Sequence, residues 1–204
     1  MNTRLLLLFL LSIAIVGQAQ TNDLTPEELE AFKVQCQERI DAFQMGLEII
    51  ADKKQEAIVK QHYINTLPDM FMGCGDEWKD VNGQKHPAVK MQVSVIRYNK
   101  TIDTYDKPLK QYLEDLKNII WTYVKITKAK TCLISNFYKR NDNLYEATAT
   151  FFQYFEAHSG EAVVYKDLTQ KEVKIYISRI KDGQLGTYWD MKFGDINVSE
   201  IKKI

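Results

Sequence analysis

A single amphipathic stripe near the N-terminus sets the terms for the rest of the chain. Thr25-Pro26-Glu27-Glu28 supplies an N-cap hydroxyl, a proline at the first helical position and a glutamate three residues past the cap. That pattern satisfies two orphan backbone donors at a helix start. Leu29, Phe32, Cys36, Ile40, Phe43, Leu47 and Ile50 follow at steps of three and four, which keeps one face apolar for about seven turns. Such a stripe needs an apolar surface of similar length to cover it.

That surface is written in the C-terminal half. From Trp121 onward, four segments rich in β-branched and aromatic residues occupy about 122–138, 144–157, 172–180 and 186–199, and they read as strands. Polar turns separate them: Lys139 to Asn143, His158-Ser159-Gly160, and Lys181-Asp182-Gly183-Gln184. The last holds the Asp-Gly pair favoured in tight hairpins, so consecutive strands run antiparallel. The segment AVVYKDLTQ adds a short edge piece before a turn at Asp167. Alternation puts Tyr145, Ala147, Ala149 and Phe151 on one face, then Val173, Ile175 and Ile177, then Trp189, Met191 and Phe193. The phase slips at Gly194-Asp195, after which Ile196 and Val198 take over. A glycine at such a slip predicts a bulge and a sharp bend.

Between these halves the spacing predicts a second helix over about 53–67, ended by Pro68, with Ala57, Ile58, Ile64 and Leu67 on it. Residues 68–88 form a glycine-punctuated connector pinned by Phe71 and Trp78; a loop of this length is also a place where function is found. Met91 to Arg97 reads as a strand, and Leu109, Tyr112, Leu113, Leu116 and Ile120 mark a third helix over about 107–120. No internal repeat or second-domain boundary is visible.

Residues 1–20 combine Arg4, an apolar run from Leu5 to Val16 and small residues at Gly17 and Ala19. This reads as a secretory signal cleaved after Ala19, leaving residues 20–204 as one α+β domain. The apolar run is shorter than the ~20 residues a spanning helix needs. The expected location is therefore the periplasm or the extracellular space, without stable membrane insertion. Lys+Arg and Asp+Glu number 27 each, and the signal removes only Arg4; a balance this even gives no long-range pull toward nucleic acid. Cys36, Cys74 and Cys132 allow at most one internal bridge. Cys36 and Cys132 read as buried small hydrophobes, and a Cys36–Cys74 bridge stays open.

The order helix, helix, strand, helix and four long antiparallel strands, the last one bent, resembles the nuclear transport factor 2-like fold over about residues 24–200. The stretch EVKIYISRIKDGQLGTYWDMKFGDINV is similar to the closing hairpin of that fold. The resemblance implies three helices packed in a strongly curved antiparallel sheet, a cone also shared by small exported proteins of Gram-negative bacteria. It places a pocket at the mouth of the cone, between helix one and the concave sheet face. Trp121, Tyr145, Phe151 and Trp189 are the residues expected to line it, with core filling as their alternative role.

Chemistry motifs are sparse. His62, His86 and His158 lie far apart with no second ligand at helical spacing, so no metal is expected. No phosphate cradle or G-x-S-x-G elbow is present, and no cofactor is expected. Parity puts no Asp or Glu clearly on the inner face, which counts against the acid–base isomerase pattern of this scaffold. The first reading is a non-catalytic exported module holding an apolar small molecule or a protein partner. The second is a small isomerase- or hydrolase-type enzyme drawing on Asp195, Tyr123 and His158. A third is self-association through the open sheet face, with Tyr154 and Tyr176 in the contact.

Overall fold

The computed structural model describes residues 23–80, 83–96 and 102–203. The signal segment lies outside the described residues, as does Asn99-Lys100-Thr101, a match to the N-glycosylation pattern. Helix α1 runs Pro26–Ala51. Its cap forms as the sequence predicts: Thr25 Oγ1 accepts from Glu28 N at 3.2 Å, and Glu28 Oε2 accepts from Thr25 N at 2.8 Å. Cys36, Ile40, Phe43, Leu47 and Ile50 are buried along one side, while Leu29 and Phe32 pack half-buried against the same core.

Helix α2 is shorter than expected, Ala57–Thr66, and Pro68 does not stop the chain cleanly. Two 3-10 turns, Leu67–Met70 and Met72–Gly75, carry it onward. The connector is pinned where its aromatics are. Phe71 is fully buried, edge-on to Phe43 at 5.2 Å and to Phe193 at 5.6 Å. Trp78 stacks on His86 at 4.2 Å across a two-residue ladder of β1 (Trp78–Lys79) and β2 (Lys85–His86).

A seven-stranded sheet forms the other layer. Its strands are β3 (Lys90–Ile96), β4 (Ile102–Pro108), β5 (Tyr123–Ile134), β6 (Tyr138–Asn141), β7 (Leu144–Ser159), β8 (Ala162–Asp182) and β9 (Gly186–Lys203). The order is β4-β3-β9-β8-β7-β5, with β6 paired to β7. Every pair is antiparallel except β3 with β9, which meet in parallel at Met91 and Ile196. The bend predicted at Gly194-Asp195 is present: Val173 pairs with Ile196 and Ile175 with Phe193, so two residues of β9 oppose one of β8. The close packing there requires glycine, since a Cβ on Gly194 would stand 2.6 Å from Tyr176 Cε2.

Three helices packed in this strongly curved sheet make the α+β cone expected from the sequence. Four details differ, and the first is that the strand expected over about 122–138 divides: β5 ends at Ile134, and most of the expected turn from Lys139 lies in β6. Residues 102–108 form β4, a hairpin partner for β3, where no strand was expected. Helix α3 therefore spans only Leu109–Lys117, with Leu109, Leu113 and Leu116 buried and Ile120 86% exposed beyond its end. The third long strand does not begin at 172 after a turn at Asp167; β8 runs unbroken through that position.

Candidate functional site

The unbroken β8 builds the site. Inward positions recur every second residue along a strand. The inward set Val173, Ile175 and Ile177 therefore continues backward through Lys171, Thr169, Asp167 and Tyr165. Asp167, Thr169 and Lys171 are 3%, 3% and 5% exposed. Their cross-strand partners on β7 are Phe155, Gln153 and Phe151. Over this polar stripe stand α3 and the β3–β4 hairpin, and between them is a cavity of about 280 Å³. Val93, Leu116, Ile119 and Phe155 supply apolar wall, and Tyr105, Tyr112 and Tyr165 bring phenol rings. At the rim Lys107 pairs with Asp115.

Inside, the polar groups are bound to one another. Tyr165 Oη donates to Asp167 Oδ2 at 2.5 Å, and the Ser94 and Thr169 hydroxyls also hydrogen-bond to that carboxyl. Burial raises Asp167 above the usual carboxylate range, and those hydrogen bonds with the Lys171 charge oppose the rise. Burial lowers Lys171 to about 8, with Asp167 pulling the other way. Tyr112 and Tyr165 are pushed up, chiefly by burial, and remain phenol donors.

The backbone explains why a lysine sits here. Beyond Met91 the β3 and β9 strands no longer pair. Lys171 Nζ donates to Gln92 O at 3.1 Å, and Gln92 Oε1 accepts from Val198 N at 2.9 Å. A bulge between Gln170 and Lys171 in the β8–β9 register falls at the same level. Lys171 and Gln92 thus occupy the place of missing ladder bonds. A polar link also leaves the cavity inward: Gln153 Nε2 donates to Gln44 Oε1 on α1 at 3.2 Å.

The residues expected from the sequence lie elsewhere. Tyr145 is buried beneath the start of α1, its Oη accepting from Leu24 N at 3.2 Å, with Trp189 edge-on at 5.5 Å. Phe151 is core, 1% exposed. Trp121 packs half-buried against the core just before β5. Structure brings Tyr145 and Trp189 together, and none of the four lines the cavity under α3. Of the trio named for an enzyme, Tyr123 and His158 pair across β5 and β7 on the outer sheet face. Asp195 is exposed in the bulge, where Oδ1 accepts from Lys90 N at 2.8 Å.

The expectation that no carboxylate faces inward is corrected by Asp167. The missing signal was present in the sequence: carrying the Val173–Ile177 parity back past residue 172 places Tyr165, Asp167, Thr169 and Lys171 on one face.

A larger hollow of about 540 Å³ lies across the sheet, under the connector, with Trp78, His86, Tyr176 and Asp190 among its walls. Lys192 pairs with Asp190 there at 3.7 Å, and His86 Nε2 lies 3.5 Å from Asp80. Cys36 and Cys74 carry free thiols, so the bridge between them is not formed, and burial beside Cys132 drives the Cys36 thiol up to about 12. Among the described residues no group of three His, Cys, Asp or Glu is placed to hold a metal, and no helix is long and apolar enough to cross a membrane.

No protein-family model matches the chain, and no curated protein matches it. It is similar to a crystal structure of a protein from Novosphingobium aromaticivorans provisionally described as a scytalone dehydratase. That likeness has a TM-score of 0.41 and 8% identity, and covers 87% of this chain and 91% of the other.

Proposed function

We propose that this chain is an exported binding protein for a small organic molecule held under α3. The carrying observation is the cavity of about 280 Å³, apolar on its walls, with Tyr165, Asp167 and Lys171 gathered on its floor. That volume sits at the lower edge of the ~300–1,000 Å³ range of ligand pockets. It suits a molecule of one ring or a short chain, with an oxygen to meet the floor. The signal-like residues 1–19 support export, in the manner of the small Gram-negative proteins that share the cone. A protein partner on the outer face and self-association through Tyr154 and Tyr176 remain alternative uses of other surfaces.

Thermal unfolding against a panel of single-ring alcohols and phenols tests this reading. A ligand at about 100 times its Kd should raise Tm by roughly 5–10 °C. Val93→Phe, which fills the cavity from β3, should abolish the shift. Shifts that survive Val93→Phe unchanged would place binding elsewhere.

One observation favours a catalytic second reading. Burial raises Asp167 above its ordinary carboxylate value beside a phenol, which suits it to take a proton from a substrate carbon. An isomerase-type reaction there should wash deuterium into the α-position of a bound small ketone, followed by NMR. Asp167→Asn should slow that exchange by about 100-fold while binding persists.

A further inference from the structure

We propose that Lys171 captures a small aldehyde or ketone as an imine inside the cavity, with the Tyr165–Asp167 pair handling the protons. This rests on the reading that the cavity admits a small organic molecule, and it names the chemical class.

The geometry carries it. Lys171 is 5% exposed and is one of the residues that line the cavity. One N–H is held by Gln92 O at 3.1 Å, and no other acceptor serves it among the described residues. Asp167 lies two inward positions along the same strand, a Cα spacing of roughly 13 Å. Thr169 lies between the two on the same face, and the Asp167 charge acts on the lysine. Val93, Leu116, Ile119 and Phe155 keep the surroundings apolar, which favours a neutral amine and disfavours hydrolysis of the product. The lysine's fall to about 8 agrees with this. Near neutral pH its neutral fraction exceeds that of an ordinary surface lysine by on the order of 100-fold.

The step balances without an added oxidant or reductant. The lone pair of neutral Lys171 Nζ adds to the carbonyl carbon, and the C=O π pair moves to oxygen. The Asp167 carboxylate takes an N–H proton and passes it to that oxygen, leaving a neutral carbinolamine. A solvent proton relayed by the same carboxyl then protonates the hydroxyl, which departs as water while the nitrogen pair forms C=N. The iminium charge is left facing the Asp167 carboxylate, which Tyr165 Oη stabilises by its hydrogen bond. The other titratable groups facing the cavity are Tyr105 and Lys107 from β4 and Tyr112 and Asp115 from α3. Lys107 and Asp115 neutralise each other at the rim, and burial pushes Tyr112 up, so that it stays uncharged while Lys171 titrates.

The experiment uses the full chain with benzaldehyde and sodium cyanoborohydride at pH 7, followed by digestion and mass mapping. The expected result is one benzyl group on Lys171, gained at least tenfold faster than on any other lysine, with the rate rising from pH 6 to 8. Asp167→Asn should slow trapping at least tenfold, and benzyl alcohol, which cannot form an imine, should bind the wild-type chain by ligand-observed NMR. If benzyl alcohol binds in the cavity but benzaldehyde labels only other lysines, the imine inference falls and the binding reading stands. If neither molecule enters the cavity, both fall.

Discussion

Lys171 is the residue on which the site's energetics turn. A buried ammonium is costly unless it is paired and hydrogen-bonded, and here a single backbone oxygen and the charge of Asp167 compensate it. Because its folded value is lowered to about 8 from the ordinary lysine value of 10.5, both states hold the proton below pH 8. Between pH 8 and 10.5 the unfolded chain binds more protons than the folded one, so stability contributed at this residue rises with pH across that window. Relative to Lys171→Met, the wild type should gain on the order of 3 kcal/mol from pH 8 to 10.5, measured by urea unfolding at each pH. A constant difference would mean that the amine is solvated. The thiols give a second residue-scale outcome. Cys36 is fully buried and pushed up to about 12, whereas Cys74 is exposed. Iodoacetamide at pH 8 should label Cys74 in the folded chain and reach Cys36 only in denaturant; early labelling of Cys36 would contradict its burial.

At the scale of elements, the contact of α1 with the end of α2 is set by one missing side chain. A Cβ on Gly46 would stand 2.8 Å from both methyl carbons of Leu67, which is itself 2% exposed and has little room to move. Gly46→Ala gains about 1 kcal/mol of helix propensity but overpacks the contact by about 1–3 kcal/mol. Net destabilisation of about 1 kcal/mol is expected. Combined with Leu67→Ala, the cost should be less than additive by about 1 kcal/mol or more, read from a double-mutant cycle in denaturant; strict additivity would show that the helices separate freely. Elements with unbroken local signals were legible in the sequence. The α1 cap and stripe announced themselves, and the slip at Gly194-Asp195 marked the bend. The start of β8 did not, because Tyr165, Asp167, Thr169 and Lys171 look like loop when polarity alone is weighed. What makes them strand is pairing with β7 on one side and β9 on the other. β4 was missed for a similar reason: IDTYDKP carries little apolar alternation, and it is held by β3 and by its continuation into α3. The site followed the strand, so the cavity became visible only once α3 and the β3–β4 hairpin were seen to cover that stripe.

At the scale of the molecule, the cone is made of two parts joined unequally. β7, β8 and β9 pair with each other along most of their length. Among the described residues the β3–β4 hairpin pairs with them at Met91 and Ile196, with Lys90 bound to Asp195 on one side of that point and Gln92 supplying side-chain and backbone links on the other. One wall of the cavity is therefore its least firmly attached part, and it is the natural route by which a small molecule reaches a floor that is almost wholly buried. Native-state hydrogen exchange should separate the two parts. Amides of β3 and β4 should exchange at least about 100-fold faster than those near Ile175 and Ile177 on β8. Gln92→Ala, which removes the acceptor of the Val198 N–H, should speed hairpin exchange about fivefold, the equivalent of one hydrogen bond of about 1 kcal/mol, and leave β7 and β8 unchanged. A bound ligand should slow the hairpin selectively, because opening that wall releases it. Equal acceleration of β8 in Gln92→Ala would show that the sheet opens as one unit and that the hairpin is no gate.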